Sequence, residues 1–213
     1  MPLSRLNKEQ YAAATSLDSQ NLIIASAGTG KTSTIVGRIG HLVAQGVQPQ
    51  EILLLTFTNK AAAEMVARVG EYFGKNVASK IDAGTFHAVS YRWLKKFDQR
   101  VVLKQQRELK TLFRSVFEKR SFSQINADMN PYGGNHLYDM YSFYQNTELV
   151  NNFEDWVKEK YPEHEGFALI YADVVDEFEG LKKEYGFVNF NDLLLNFRDI
   201  CKTKNLGYKE VLV

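Results

Sequence analysis

The sequence predicts an α/β fold: a parallel sheet flanked by helices, with an all-helical subdomain inserted into it. Two short apolar runs, at 22–24 and 52–55, have the continuous pattern of strands that are covered on both faces. Each run is followed by apolar residues at helical spacing, so strand and helix alternate along the chain. From about Asp98 to Gly186 the strand pattern stops while helical spacing continues, which predicts the inserted subdomain.

The elements can be placed in order from their periodicity and their end signals. Asn7 is a good helix N-cap, and Gln10, three residues later, completes a capping box, so a helix starts here. Gly74 and Gly186 follow periodic segments and predict helix ends. Up to Asp98 the predicted elements are a strand at 22–24, a helix from about 32 to 44, a strand at 52–56, a helix at 61–72, a strand around 81–83 and a helix to about 97.

Beyond Asp98 the patterns are those of helices and their connections. The predicted elements are helical spacing at 109–117, a loop at 121–134, an aromatic-rich patch at 138–144, a short helix at 153–157, a long amphipathic helix at 167–185, a helix from 190 and a strand from 209. For the aromatic patch, packing within the inserted subdomain is the simpler interpretation.

The composition is that of a globular protein, with 45% hydrophobic and 24% charged residues among 213. The formal net charge is only +1, so any nucleic-acid surface must be local. The single cysteine, Cys201, excludes an internal disulfide, and its place on an apolar helical face predicts a small buried residue. The four histidines lack metal-ligand spacing. Without a signal peptide or a membrane-spanning apolar run, the expected location is the cytoplasm.

The segment 25–32 carries the motif on which a functional interpretation depends. It reads Ala25-Ser26-Ala27-Gly28-Thr29-Gly30-Lys31-Thr32 and lies between an apolar run and a helix. Glycines let backbone N–H groups curl around a phosphate, and a helix start adds unpaired donors and the positive end of its dipole. Lys31 can reach the outer phosphates of a nucleotide, and the Thr32 hydroxyl can hold Mg²⁺. Ala25 stands where this phosphate-loop motif usually has a glycine, and the plainer alternative is an ordinary glycine-rich turn.

Polar and aromatic residues follow the next two predicted strands. Thr56-Phe57-Thr58-Asn59-Lys60 follows one strand, and Thr85-Phe86-His87 follows the other. In an open parallel sheet, ligands bind at this carboxyl edge. Residue type alone favours plainer roles: Phe57 and Phe86 in a core, Thr85 as a helix N-cap, and His87 as a partly buried histidine.

Four blocks in one order together resemble the UvrD/Rep family of superfamily 1 DNA helicases. They are 6–10 (Leu-Asn-Lys-Glu-Gln), 25–32, 55–62 (Leu-Thr-Phe-Thr-Asn-Lys-Ala-Ala) and 84–88 (Gly-Thr-Phe-His-Ala). The segment 189–194 also resembles the Asp-Phe-x-Asp-Leu-Leu block of that family, with Asn189 and Asn191 in place of acidic residues. The resemblance implies a RecA-like P-loop domain at 1–97 and 187–213, with the family's helical subdomain 1B at 98–186.

The resemblance also implies a role for each block. Gln10 would read adenine, Lys31 and Thr32 would act on the triphosphate and Mg²⁺, and the strand ends would contact single-stranded DNA. The residues implied in ATP binding are Gln10, Ala25, Ser26, Ala27, Gly28, Thr29, Gly30, Lys31, Thr32, Ser33 and Arg38. Those implied in contacts with single-stranded DNA and single-strand/double-strand junctions are Thr56, Phe57, Thr58, Asn59, Lys60, Thr85, Phe86 and His87. Ser33 stands where the family often has arginine, and Arg38 lies further along the helix.

ATP hydrolysis also needs an aspartate for Mg²⁺ and a glutamate for the attacking water. The stretch 174–179 contains an Asp-Glu pair, but its apolar positions have helical spacing, so we reject it as that site. In the family the Asp-Glu block follows the Phe-x-Asp-Leu-Leu segment. We therefore expect the strand at 211–213 to be the one that precedes these Walker B acids, and the sequence to stop just short of them.

The resemblance implies a parent protein that moves 3′ to 5′ along DNA by closing two RecA-like domains over ATP. With most of the first domain and none of the second, we expect negligible ATPase activity and no unwinding from these residues alone. Two alternatives stay open at this point. One is a P-loop enzyme acting on a small molecule, such as a kinase, and the other is a non-catalytic, nucleotide-dependent DNA-binding module.

Overall fold

The structure, a computed structural model, describes residues 2–119, 133–147 and 152–213. These residues form two compact units, the first made of Met1–Val89 with Ile200–Val213 and the second of Ser90–Asp199. The predicted insertion, 98–186, falls within the second unit, and the predicted loop at 121–134 lies almost wholly outside the described residues. None of the helices in the described ranges has the length and apolar character needed to span a membrane.

The helices and strands alternate at first and are mostly helical later. In chain order they are α1 (Lys8–Thr15), α2 (Lys31–Ala44), β1 (Ile52–Thr56), α3 (Asn59–Phe73), α4 (Lys75–Ala78), β2 (Asp82–Thr85), α5 (Phe86–Phe97), β3 (Val102–Leu103), α6 (Gln106–Lys119), α7 (Gly134–Tyr144), α8 (Phe153–Lys160), α9 (Ala168–Tyr185), β4 (Phe187–Val188), α10 (Phe190–Thr203) and β5 (Glu210–Leu212). Short 3₁₀ turns occupy Pro2–Arg5, Pro49–Glu51 and Pro162–Phe167.

The first unit is built on a parallel sheet in the order β2-β1-β5. All five residues of β1 are buried, as its continuous apolar run predicts. Val36 and Ile39 of α2 share a core cluster with Ile52 and Leu54 of β1. The register pairs Thr56 with Thr85, so β1 and β2 end at the same edge of the sheet.

The predicted strand at 22–24 is wrong. These residues have no regular secondary structure, and Leu22 and Ile24 are 88% and 90% exposed. A strand needs a neighbour's backbone to pair with, and among the described residues none forms a ladder with this segment. An apolar run indicates a tendency to be buried, but it cannot supply a partner strand.

The second unit has a core of aromatic and aliphatic side chains from α6 to α9. Phe113 packs edge-on against Phe178, with ring centroids 5.0 Å apart, and against Tyr138 at 5.5 Å. Tyr138 and Tyr141 are 2% exposed, so the packing interpretation of the aromatic patch is confirmed for these two residues. Phe143, in contrast, is 49% exposed.

Two short strands in the second unit correct the prediction that strands stop at Asp98. Val102–Leu103 and Phe187–Val188 pair as a parallel two-stranded ladder. Strands of two residues are too short to show an alternating pattern, so no periodicity predicts them. The rejected Asp-Glu stretch at 174–179 lies inside α9, which confirms that it is helical.

Cys201 is exposed, which contradicts the predicted burial. All residues from 201 to 205 are exposed, so the end of α10 extends beyond the part of the helix that is covered. Periodicity identifies a helical face but not how far along the helix that face is buried.

Candidate functional site

The side chain of Lys31, at the start of α2, folds back and donates to carbonyl oxygens of the loop that precedes the helix. Gly28 and Gly30 have φ angles of +78° and +86°, a conformation that favours glycine. The Lys31 ammonium donates to the carbonyl oxygens of Ala25 at 3.1 Å and Ser26 at 2.7 Å. The Thr29 hydroxyl donates to the same Ser26 carbonyl at 2.8 Å. The cationic group is therefore held across the loop, where it can meet an anion.

The start of α2 leaves backbone donors for a ligand. Its N-cap is Gly30, and the Thr34 N–H donates to the Gly30 carbonyl at 3.0 Å to close the first helical turn. The N–H groups that precede Thr34 lie outside the helix's own ladder. A helix start of this kind, with its positive dipole end, is suited to bind phosphate.

Gln10 ties α1 to this loop. The predicted capping box is confirmed: the Gln10 N–H donates to Asn7 Oδ1 at 2.8 Å, and Gln10 Oε1 accepts from the Asn7 N–H at 3.0 Å. The Gln10 Nε2 group also donates to the Thr29 carbonyl at 2.8 Å. The second N–H of the Gln10 amide can therefore still donate a hydrogen bond to a ligand. Adenine recognition by Gln10 stays a prediction.

A cavity of about 400 Å³ opens beside the loop. Gln10, Ile24, Ser26, Thr29, Lys31 and Thr34 are among the residues that line it. The volume is within the range of small-ligand sites, which is about 300–1,000 Å³. The loop, the helix start and the ammonium therefore converge on one concave space.

Arg38 is engaged elsewhere in the first unit. Its guanidinium donates to the carbonyls of Ala14 and Ser16, at the end of α1, and lies 3.2 Å from the Glu210 carboxylate of β5. These bonds link α2 to α1 and to the sheet. The predicted contact of Arg38 with ATP stays a prediction, and it would cost one of these bonds. Ser33 lines a separate cavity of about 300 Å³.

The ends of β1 and β2 bring two aromatic residues together. Because Thr56 pairs with Thr85, the residues that follow, Phe57 and Phe86, are neighbours, and their ring centroids lie 5.5 Å apart. Phe57 is 87% exposed, so it is not a core residue. Phe86 is half-buried beneath it.

The two threonines at these strand ends are helix N-caps. Thr58 Oγ1 accepts from the Ala61 N–H at 3.1 Å, and Thr85 Oγ1 accepts from the Ala88 N–H at 3.2 Å. A hydroxyl that accepts a capping bond still has its O–H to donate. Capping and phosphate binding are therefore compatible at both positions.

The polar side chains near Phe57 differ in their exposure to solvent. The Thr56 hydroxyl is buried and donates to the Thr58 carbonyl at 3.0 Å. Asn59 and Lys60 are exposed, and the Lys60 ammonium lies 3.9 Å from Glu64. His87 is half-buried. The exposed cation and amide are the groups best placed to meet a ligand from solvent.

In the second unit, the segment 189–194 anchors a helix. The Asp192 N–H donates to Asn189 Oδ1 and the Asn189 N–H donates to Asp192 Oδ2, both at 2.7 Å, which is a reciprocal cap at the start of α10. The Asn189 side chain also donates to Gln145 Oε1 at 2.9 Å. An asparagine performs this capping as an aspartate would.

Lys182 is a buried charge that the sequence did not reveal. It is 2% exposed, and its ammonium lies 2.8 Å from Asp192 and 2.9 Å from Glu179. The ammonium also donates to the Tyr141 hydroxyl at 3.0 Å, and that hydroxyl contacts Glu179. Burial raises the pKa of the Glu179 carboxyl, and the Lys182 ammonium opposes that rise. A Glu-x-x-Lys spacing is the only sequence signal, and it is common on exposed helices.

A glycine-rich loop with Lys31 and Thr32 at the start of a helix, in a unit built on a parallel sheet, is typical of P-loop nucleotide-binding α/β proteins. The comparison with family models is more specific. The model described as the UvrD/REP helicase N-terminal domain matches residues 6–211, and the chain belongs to this family. The resemblance seen in the sequence blocks is confirmed.

Three relatives show how the similarity is distributed. The ATP-dependent DNA helicase PcrA of Leuconostoc citreum is 32% identical over 93% of this chain and 26% of its own length. The putative ATP-dependent DNA helicase YjcD of Bacillus subtilis strain 168 is 28% identical over 90% of this chain and 25% of its own length. DNA helicase II of Escherichia coli K12 is 40% identical over 44% of this chain and 13% of its own length. The chain spans about a quarter of the length of the first two.

Proposed function

We propose that this chain is the N-terminal ATP- and single-stranded-DNA-binding portion of an ATP-dependent 3′–5′ DNA helicase or translocase. The observation that carries the proposal is the Lys31 ammonium, held 2.7 Å from the Ser26 carbonyl in a glycine-rich loop at the start of α2. Membership of the helicase family supports it, since relatives in that family are named ATP-dependent DNA helicases.

The residues of the loop fit a triphosphate and Mg²⁺. The φ angle of +86° favours glycine at position 30, and a Cβ atom there would lie 2.5 Å from Gln10 Nε2, so the Gln10 side chain would have to move. On binding, Lys31 would exchange its two carbonyl acceptors for phosphate oxygens, and Thr32 would offer its hydroxyl to the metal. In the described ranges no group of three or more His, Cys, Asp or Glu residues could hold a metal. ATP supplies the phosphoryl group whose transfer to water releases free energy.

The strand ends suit single-stranded DNA, including the single strand next to a duplex junction. An exposed ring such as Phe57 can stack on a base of any sequence. The Lys60 ammonium and the O–H groups of Thr58 and Thr85 can contact phosphate oxygens. His87, beside Phe86, can add a donor to the same track.

We further propose that this chain alone does not turn over ATP at a measurable rate. Hydrolysis needs an acid for Mg²⁺ and another for water. The Asp-Glu pair at 176–177 lies in α9 and not at the end of a strand, so it does not have the geometry of such a site.

The test is a pair of titrations of the purified chain, one with ATP–Mg²⁺ by calorimetry and one with a fluorescent oligothymidine by anisotropy. We expect both ligands to bind, Lys31→Ala to abolish ATP binding, and released phosphate to stay at background with and without DNA. ATP binding that is unchanged in Lys31→Ala would contradict the proposal. Phosphate release that is stimulated by DNA would also contradict it. A kinase would show transfer to a small acceptor with no response to DNA.

A further inference from the structure

The Gln10 side chain connects the start of α1 to the loop that precedes α2, within the first unit. Its Oε1 accepts from the Asn7 N–H at 3.0 Å, and its Nε2 donates to the Thr29 carbonyl at 2.8 Å. Because the oxygen and the nitrogen of the amide are both bonded, the orientation of the amide is fixed. The family resemblance gave Gln10 a contact with adenine, and that contact does not require the bond to Thr29.

The bond acts on the peptide that joins Thr29 to Gly30. This peptide is planar and trans, so its carbonyl and its N–H point in opposite directions. Because Gln10 holds the carbonyl towards α1, the Gly30 N–H points away from α1. Backbone N–H groups of a glycine-rich loop are the donors that bind phosphate. The direction of one such donor therefore depends on a side chain outside the loop.

Gly30 provides the space for this contact. It is the N-cap of α2, and a Cβ atom there would lie 2.5 Å from Gln10 Nε2. The amide thus lies against the backbone where a glycine allows a close approach. Gln10 therefore contacts the loop at the residue from which α2 begins.

The bond also affects the surroundings of Lys31. The Thr29 hydroxyl donates to the Ser26 carbonyl at 2.8 Å, and the Lys31 ammonium donates to the same carbonyl at 2.7 Å. Thr29 is therefore bonded to Gln10 through its own carbonyl and to Ser26 through its hydroxyl. A movement of Thr29 would disturb an acceptor that holds the ammonium in place.

We infer that Gln10 is a positioning residue for phosphate: its bond to the Thr29 carbonyl holds the loop in the shape that binds the triphosphate. The inference rests on the proposed function, because it assumes a triphosphate at Lys31. It makes affinity for the phosphates depend on α1 as well as on the loop. This role is separate from any contact with the base, since the second N–H of the amide can still donate.

The experiment uses inorganic tripolyphosphate with Mg²⁺, a ligand that has no base and no sugar. Calorimetry on the 213-residue chain gives dissociation constants for tripolyphosphate and for ATP. Gln10→Met keeps the length of the side chain but removes the amide. We expect it to weaken tripolyphosphate binding about fivefold, the factor that corresponds to about 1 kcal/mol for one hydrogen bond. A residue that only reads the base would leave tripolyphosphate binding unchanged.

Asn7→Ala is the matched control for the start of α1. It removes the Oδ1 atom that accepts from the Gln10 N–H, but it leaves both bonds of the Gln10 side chain in place. It should change tripolyphosphate binding by less than about twofold, although it removes a cap just as Gln10→Met does. Urea denaturation shows that both variants are folded at the temperature of the titration.

The outcomes separate this inference from the proposed function. If Gln10→Met leaves tripolyphosphate binding unchanged, or if Asn7→Ala weakens it equally, the inference is overturned. Lys31→Ala should weaken both ligands, and if it does so while Gln10→Met does not weaken tripolyphosphate, the proposed function stands alone. If Lys31→Ala changes the affinity for neither ligand, the proposed function fails and the inference fails with it.

Discussion

The rings of Phe57 and Phe86 lie 5.5 Å apart and 46° from parallel, at the ends of two paired strands. Phe57 is 87% exposed and Phe86 is half-buried, so the inner ring supports the outer one. Under the proposed function, this pair is the platform on which a base of single-stranded DNA stacks.

Replacing Phe57 with alanine should weaken binding of an oligothymidine by about tenfold, since a stacked base contributes roughly 1–3 kcal/mol. Fluorescence anisotropy at fixed salt measures this. Phe97→Ala is the matched control, because Phe97 is a 49% exposed phenylalanine outside the platform. Equal losses in the two variants would argue against a stacking role.

Gly30→Ala should lower the free energy of unfolding more than Gly28→Ala does. Both residues have positive φ angles, for which a Cβ costs about 1–2 kcal/mol. Only at Gly30 would the Cβ also meet Gln10 Nε2, at 2.5 Å, while nothing lies within 4 Å of a Cβ at Gly28. In a Gln10→Ala background the two substitutions should cost the same in urea denaturation. A difference that persists there would rule out this contact as the cause.

Lys182→Met should destabilise the chain by about 3–5 kcal/mol, because it leaves Asp192 and Glu179 without the cation that faces them. Lys183→Met, the exposed neighbour on α9, should change the free energy of unfolding by less than about 0.5 kcal/mol. Urea denaturation of both variants measures the contrast. Lowering the pH should recover part of the loss in Lys182→Met, since protonated carboxyls need no cation.

Alkaline pH should destabilise the second unit through Tyr138. Burial raises the pKa of Tyr138 from 10 to about 12. The unfolded chain therefore releases this proton at lower pH than the folded chain, and stability falls as pH rises from 10 to about 12, by at most about 3 kcal/mol. Denaturation curves of the protein and of Tyr138→Phe should diverge in this window. Parallel pH profiles would contradict the assignment.

Much of the fold follows from the sequence because local signals agree with packing. The strand β1, the end of α3 at Gly74 and the end of α9 at Gly186 lie where periodicity and glycine predict them. The capping box of Asn7 and Gln10 was predicted from two residues three apart and is present. These features depend on neighbours in the sequence, so one chain segment is enough to specify them.

Features that depend on distant residues were not predicted. The segment 22–24 is apolar but has no strand partner among the described residues, and its apolar character does not indicate which strand it would pair with. The burial of Lys182 depends on Asp192 and Tyr141, which lie on α10 and α7. The Arg5 guanidinium donates to the hydroxyl of Tyr72, 67 positions away. No local pattern encodes such contacts.

Leu22 and Ile24 form an exposed apolar segment that favours association between copies of the chain. The backbone groups of this segment form no ladder within the described residues, so they are available to pair with the same segment of a second copy. Solutions of this chain should consequently become turbid or oligomeric as they are concentrated. Ligand affinities measured at low protein concentration will therefore be those of the monomer. At high protein concentration the measured ligand affinities will also include the effect of self-association.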